Sequence, residues 1–157
     1  MKARLIATVV LAASVVLGTS ACNLISPQTT TKPYDASDGV SGRVGDLKLR
    51  NAVIITGDGE DGNLLVSVTN TGGAHNLKIQ FGDDSETIEA IIPKESTVSF
   101  GTEEEGPLLL EGIDTEPGAL LPVFFQYGDE TGVELLVPVL DGTLGEYSEF
   151  VPGGVAE

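Results

Sequence analysis

The sequence predicts an all-β protein built as an antiparallel β-sandwich of about seven to eight strands. From Val44 onward, short apolar segments alternate with clusters of turn residues. Within the segments, apolar and polar residues alternate with a period of two, and β-branched residues are frequent. No segment after Cys22 has a helical period, and regular short strands with turns between them are typical of a sandwich.

Eight strands are predicted along the chain, each ended by glycine, asparagine, aspartate or proline. They are Leu47–Ile55, Leu64–Thr69, Leu77–Phe81, Thr87–Ile92, Thr97–Phe100, Leu108–Ile113, Leu120–Tyr127 and Val133–Val139. Pro122 and Pro138 fall inside predicted strands. Because proline has no N–H to donate to a ladder, we expect them at edge positions or bulges.

The N-terminus has the pattern of a secretory signal peptide, predicted over residues 1–21. Lys2 and Arg4 precede an apolar stretch that runs from Leu5 to Leu17, and small residues follow it. The stretch is shorter than the roughly 20 residues that a membrane-spanning helix needs. We therefore expect export, and expect this segment to be removed.

Cys22 follows the small residues and is the one cysteine of the chain. It is either a chance residue beside an ordinary cleavage site or the cysteine of a bacterial lipobox, which receives a diacylglyceryl group and further acyl chains such as palmitate. Thr19-Ser20-Ala21-Cys22 resembles the lipobox but has threonine where leucine is usual. The unpaired cysteine of an exported chain favours the lipobox. Two or three acyl chains would anchor the protein stably to the extracytoplasmic face of the cell membrane.

The chain is strongly acidic, with 24 acidic and 8 basic residues and a net charge of −16. Removal of residues 1–21 would take away Lys2 and Arg4 and no acid, which leaves 6 basic residues and a charge of −18. This charge argues against a nucleic-acid partner, which needs a basic surface. It also argues against flat docking on anionic headgroups.

We predict four regions. A signal peptide covers residues 1–21, and a lipid-anchored flexible tether, rich in Ser, Thr, Pro and Gly, covers residues 22–43. The sandwich covers residues 44–140, and an acidic tail covers residues 141–157. The tail is either a loose end whose aromatic residues dock on the sandwich or a docking peptide for a partner.

The turn Gly57–Asn63, with the sequence GDGEDGN, contains a G-x-G-x-x-G pattern and three acids. A dinucleotide loop must open a helix, whereas a strand follows here, and the acids would repel a phosphate. Asp58, Glu60 and Asp61 are weak candidates for calcium ligands, although the spacing does not fit an EF-hand loop. The interpretation we favour is an acidic hairpin turn with no metal.

His75 is the one histidine, in the turn sequence Gly-Gly-Ala-His-Asn. Catalysis would require a nucleophile and an orienting acid beside it, and the sequence contains no G-x-S-x-G pattern. We therefore expect a surface turn residue, no catalytic residues, no cofactor and no enzyme activity.

Five features between Val44 and Leu140 carry a family resemblance: VGDLKLRNAVI, a second strand ending at Asn70, IPKESTVSF, LLLEGI and GALLPVFFQYGDETGVELLVPV. Through them this segment resembles the PCu(A)C copper-chaperone family, and the whole chain resembles LpqE-type actinobacterial lipoproteins. It implies an Ig-like or cupredoxin-like sandwich. The family binds Cu(I) through His and Met, but one such pair would fall on Pro107 and Leu109, and the mature chain has no methionine.

The resemblance therefore implies a sandwich without the copper ligands. The expected function is a lipid-anchored, non-enzymatic binding or accessory module of the cell envelope, with an envelope protein or a glycolipid as partner. The alternative is a protein that handles copper or calcium through carboxylates.

Overall fold

A computed structural model describes residues 2–12, 35–82 and 86–153. The chain divides into two compact units, Met1–Tyr34 and Asp35–Glu157. In the first unit, residues 2–12 form an α-helix. No helix in the described part of the chain has the length and hydropathy required to cross a bilayer. Cys22 and the tether as far as Tyr34 lie outside the described residues.

The second unit is an all-β domain, as the sequence predicts. Its described part contains nine strands and one 3-10 turn, Ser148–Phe150. The strands are β1 Val40–Val44, β2 Leu47–Thr56, β3 Gly62–Asn70, β4 His75–Phe81, β5 Glu86–Ile92, β6 Thr97–Phe100, β7 Leu109–Leu110, β8 Leu120–Gln126 and β9 Val133–Asp141.

The strands form one nine-stranded sheet that divides into two largely antiparallel halves, which we call the first and the second sheet. The first sheet contains β1, β2, β3, β6 and β7, and the second has the order β5-β4-β8-β9. The end of β9 joins the sheets, because Val139–Asp141 pairs in parallel with Ile54–Thr56 of β2. One connected core of buried aliphatic and aromatic side chains lies between the sheets; its largest fully buried members include Phe125, Leu47, Leu49, Ile54, Leu64, Leu77 and Ile79.

A β-bulge in β2 allows both of its halves to contribute to the same core. The register with β3 shifts between Arg50 and Val53, and Asn51 has a left-handed backbone with φ of 51°. One extra residue reverses which side chains point inward. Leu49 therefore faces the core before the bulge, and Ile54 faces it afterwards.

Both strand prolines lie where one side of the ladder is open, as predicted. Pro122 of β8 is opposite Leu136 of β9, but the pairing of β8 with β4 ends at Val123. Pro138 of β9 is opposite Leu120, and the pairing of β9 with β2 begins only at Val139. Neither proline breaks a two-sided ladder.

The strand prediction was wrong in two places. The sixth predicted strand, Leu108–Ile113, is reduced to the two residues of β7, because Gly112 has φ of 67° and turns the chain away from β3. A strand that was not predicted, β1, pairs with β2 from Val40 onward and precedes the first predicted strand, which begins at Leu47.

Candidate functional site

A groove of about 770 Å³ opens at one end of the domain, where three segments meet. One wall is the turn between β2 and β3 together with the start of β3, residues 57–63. The second is the loop 101–107 with Leu109 of β7, and the third is the chain after β9, residues 149–153. A volume of this size lies within the range of small-molecule and peptide side-chain pockets.

The turn 57–61 is held rigid by hydrogen bonds to its own backbone and to a neighbouring loop. The buried Thr56 hydroxyl donates to the carbonyl of Asp61 at 2.6 Å and accepts from the N–H of Gly59 at 2.9 Å. The N–H groups of Ile113 and Thr115 donate to the carbonyls of Glu60 and Gly59. A turn fixed at both ends presents its side chains in one arrangement.

Asn63 connects all three walls of the groove. Its side chain is 3% exposed. The Nδ2 group donates to the carbonyl of Gly101 at 2.9 Å and to the carbonyl of Phe150 at 3.2 Å, while Oδ1 accepts from the N–H of Leu108 at 2.9 Å. Because a buried amide must satisfy its donors and acceptor, this residue fixes the spacing of the walls.

The C-terminal segment, which we define as residues 141–153, covers the outer face of the first sheet. Val53, Ile55 and Leu65 point away from the central core and form a second buried cluster. Tyr147, Phe150 and Val151 of the C-terminal segment pack against it, together with Leu140. The prediction that the aromatic residues of the tail dock on the sandwich is confirmed for this segment.

A hydrogen bond attaches the C-terminal segment to the chain before β1. The Tyr147 hydroxyl donates to Oδ2 of Asp38 at 2.8 Å. This hydrogen bond, together with desolvation and the nearby charges of Asp38 and Glu146, raises the pKa of Tyr147 to about 12. The phenol is therefore neutral at physiological pH and acts as a donor.

The groove combines negative charge with apolar surface. Among the described residues, its lining contains four carboxylates and no basic residue, and its apolar side chains come from the loop, from β7 and from the C-terminal segment. The carboxylates are Asp58, Asp61, Glu103 and Glu149; the apolar residues are Pro107, Leu109, Phe150, Val151 and Pro152. Glu103 and Glu149 are exposed to solvent. Such a lining attracts a cation that carries an apolar body.

The three calcium candidates do not converge on one point. Oδ1 of Asp58 accepts from the N–H of Glu60 at 3.0 Å, and Oδ1 of Asp61 accepts from the N–H of Gly112 at 2.9 Å. Among the described residues, no group of three or more His, Cys, Asp or Glu side chains is arranged to hold a metal ion. Metal handling remains a prediction that a direct titration would test.

His75 is not the surface turn residue that the sequence predicts. It begins β4, is half-buried, and stacks on Tyr127 with ring centroids 3.9 Å apart and an interplanar angle of 30°. Its buried Nε2 makes no hydrogen bond within the described part of the chain. The Tyr127 hydroxyl in turn accepts from the N–H of Asp46 at 3.0 Å. The geometry gives the imidazole a packing contact at the end of the second sheet.

Comparison with known proteins finds similarity to solved structures. No protein-family model and no curated protein matches the chain. Five solved chains match, and one is described as a copper-bound PCuAC domain from PmoF2. That domain and this chain share 15% sequence identity, and their alignment covers 64% of this chain and 98% of that domain, with a TM-score of 0.44. The copper in that description is a property of that domain.

Proposed function

We propose that the protein is a lipid-anchored, non-enzymatic binding module of the cell envelope, and that its groove binds a basic segment of an envelope protein. The anchor is Cys22, which holds the domain at the extracytoplasmic face of the cell membrane. The observation that carries the binding proposal is the lining of the groove, where four carboxylates and five apolar side chains meet, with no basic residue among the lining residues that the structure describes.

The charge of the groove favours one of the two partners expected from the sequence. An uncharged glycolipid offers no cation to the four carboxylates, whereas a lysine or arginine side chain offers a cation on an apolar stem. A single exposed ion pair contributes about 0.2–1 kcal/mol. Leu109 and Phe150 give the stem and its apolar neighbours a surface to contact, so a basic protein segment matches the groove best.

The proposal is tested by calorimetric titration of the full-length chain with a short peptide in which two lysines flank a phenylalanine. The control peptide has glutamates in place of the lysines. We expect the lysine peptide to bind and the glutamate peptide not to bind. Raising the salt from about 50 mM to about 500 mM should weaken binding severalfold, because the Debye length shortens.

Two pairs of substitutions distinguish the groove from the general acidity of the protein. Glu103→Gln with Glu149→Gln removes two carboxylates from the groove lining. Glu105→Gln with Glu146→Gln removes two exposed carboxylates from the same loop and the same C-terminal segment but outside the lining. We expect the first pair to weaken binding about tenfold and the second less than about twofold. Equal effects of the two pairs, or no binding of the lysine peptide, would refute the groove as the site.

A further inference from the structure

The C-terminal segment is attached to the rest of the domain by few contacts. Within the described part of the chain, two hydrogen bonds join residues 142–153 to other elements. The Tyr147 hydroxyl donates to Asp38, and the Asn63 side chain donates to the carbonyl of Phe150. Every residue from 142 to 153 is exposed or half-buried. A segment with so few buried groups and bonds opens at a lower free energy than the core of a domain.

The segment has hydrogen bonds of its own, so it can keep its shape when it moves. The N–H of Tyr147 donates to the carbonyl of Leu144 at 2.9 Å, and the N–H of Phe150 donates to the carbonyl of Tyr147 at 3.1 Å. Strand pairing ends just before these turns, where Asp141 of β9 lies opposite Thr56 of β2. The chain after Asp141 is therefore a small folded unit that is joined covalently to the sandwich at the end of β9.

The surface under the segment is aliphatic. Val53 and Ile55 are 0% exposed and Leu65 is 9% exposed, although all three side chains point away from the central core. The side chains that cover them belong to the C-terminal segment and to Leu140. Opening of the segment would bring this aliphatic surface into water, and the cost of that exposure favours the closed position.

Opening would also take the groove apart. Residues 149–153 form one of its three walls. Glu149 of this wall lines the same groove as Asp58, Asp61 and Glu103 of the other two walls. Because like charges on facing walls repel each other, the empty groove favours opening, and a cation bound between the walls removes that repulsion. A ligand that contacts all three walls binds the closed position alone and therefore stabilises it.

We propose that the C-terminal segment opens and closes as a unit on the outer face of the first sheet, and that a basic segment bound in the groove holds it closed. The role given to the ligand rests on the function proposed above. Tyr147 and Asp38 lie outside the groove lining, and their hydrogen bond stabilises the closed position. Tyr147 is therefore a positioning residue, which acts on the groove through the wall that it holds in place.

The test is the rate at which a buried thiol reacts with a soluble thiol reagent. Val53→Cys places the thiol under the C-terminal segment, and Val68→Cys places it in the central core. Both valines are 0% exposed. Cys22, the one natural cysteine, is replaced by alanine in each full-length chain. We expect the Val53→Cys thiol to react at least about a hundredfold faster, because only the segment must move to expose it.

Leu65→Cys provides a second thiol under the C-terminal segment. It should react faster than the Val68→Cys thiol in the same way, and it replaces Val53→Cys if that variant does not fold. Far-UV circular dichroism verifies that each variant is folded.

Tyr147→Phe keeps the aromatic ring and removes the hydrogen bond to Asp38. It should speed the reaction of the Val53→Cys thiol about fivefold, the factor that corresponds to about 1 kcal/mol for one hydrogen bond. Asp38→Ala removes the same bond from the other side and should repeat the effect. Asn76→Ala breaks an exposed hydrogen bond on the second sheet and should leave the rate within about twofold.

The lysine peptide tests the link between the segment and the groove. At ten times its dissociation constant it should slow the reaction of the Val53→Cys thiol about tenfold, and the glutamate peptide should leave the rate unchanged. Equal rates for the Val53→Cys and Val68→Cys thiols would overturn the proposal, as would a lysine peptide that binds without slowing the reaction. Fast reaction of the Val53→Cys thiol with no binding of the lysine peptide would refute the proposed function and still support the opening of the segment.

Discussion

Replacement of Asn63 by alanine should loosen the groove and lower the free energy of unfolding, because the hydrogen bonds of the Asn63 side chain are lost. The substitution removes three hydrogen bonds, to the carbonyls of Gly101 and Phe150 and from the N–H of Leu108. Each contributes about 1 kcal/mol net, and more where the partner is left buried without water. We therefore expect Asn63→Ala to lower the free energy of unfolding by about 3 kcal/mol.

The assay is urea unfolding followed by circular dichroism, with Asn76→Ala as the matched control. Asn76 is exposed, and its Nδ2 donates to Oε2 of Glu89 at 2.6 Å at the surface. Replacement of Asn76 by alanine should lower the free energy of unfolding by less than about 0.5 kcal/mol. Limited proteolysis should cut the C-terminal segment of Asn63→Ala sooner than that of the wild type, because the bond to Phe150 is lost. Unfolding of the two variants at the same urea concentration would contradict a structural role for the Asn63 side chain.

Three further changes test separate parts of the structure. Gly101→Ala should destabilise the domain by about 2 kcal/mol or more, because a Cβ at this position would meet the carbonyl of Leu64. Gly106 has the same φ of 79° but open space around it, so Gly106→Ala should cost only the backbone strain of about 1 kcal/mol. Tyr147→Phe should lower the free energy of unfolding by about 1 kcal/mol. In the wild type, the contribution of this phenol should be fully present below pH 10 and lost between pH 10 and about 12, because the pKa of Tyr147 is higher in the folded than in the unfolded chain. An unchanged free energy of unfolding of the wild type over that pH range would count against the Asp38 hydrogen bond. Cys22→Ala should release the protein from the membrane fraction, and continued membrane retention would contradict the lipobox.

Local patterning predicts most of the sandwich. β2 to β6, β8 and β9 lie where alternating apolar residues and turn residues place them, because burial of one face selects that period directly. β1 has no such signal, since its sequence VSGRV alternates weakly and contains glycine and arginine. It becomes a strand through its pairing with β2, and Gly42 leaves space for the side chain of Leu135.

The groove could not be predicted from local sequence, because its walls meet through contacts between distant residues. Asn63 lies 38 residues from Gly101, 45 from Leu108 and 87 from Phe150. As a sequence feature, it is only the last residue of an acidic turn. The prediction for His75 was wrong for the same reason, since its partner Tyr127 directly follows β8, far along the chain. An asparagine beside a glycine-rich turn and before an apolar run is the one signal that could have suggested a buried amide.

The most direct test of the proposed function is an NMR titration of the isotope-labelled full-length chain with the lysine and glutamate peptides. The account predicts that the lysine peptide shifts the amide signals of Asp58, Thr102 and Phe150, from the three walls of the groove, and leaves the outer face of the second sheet unchanged. Shifts spread over every acidic loop, or shifts of equal size with the glutamate peptide, would contradict the groove as a specific site for a basic segment.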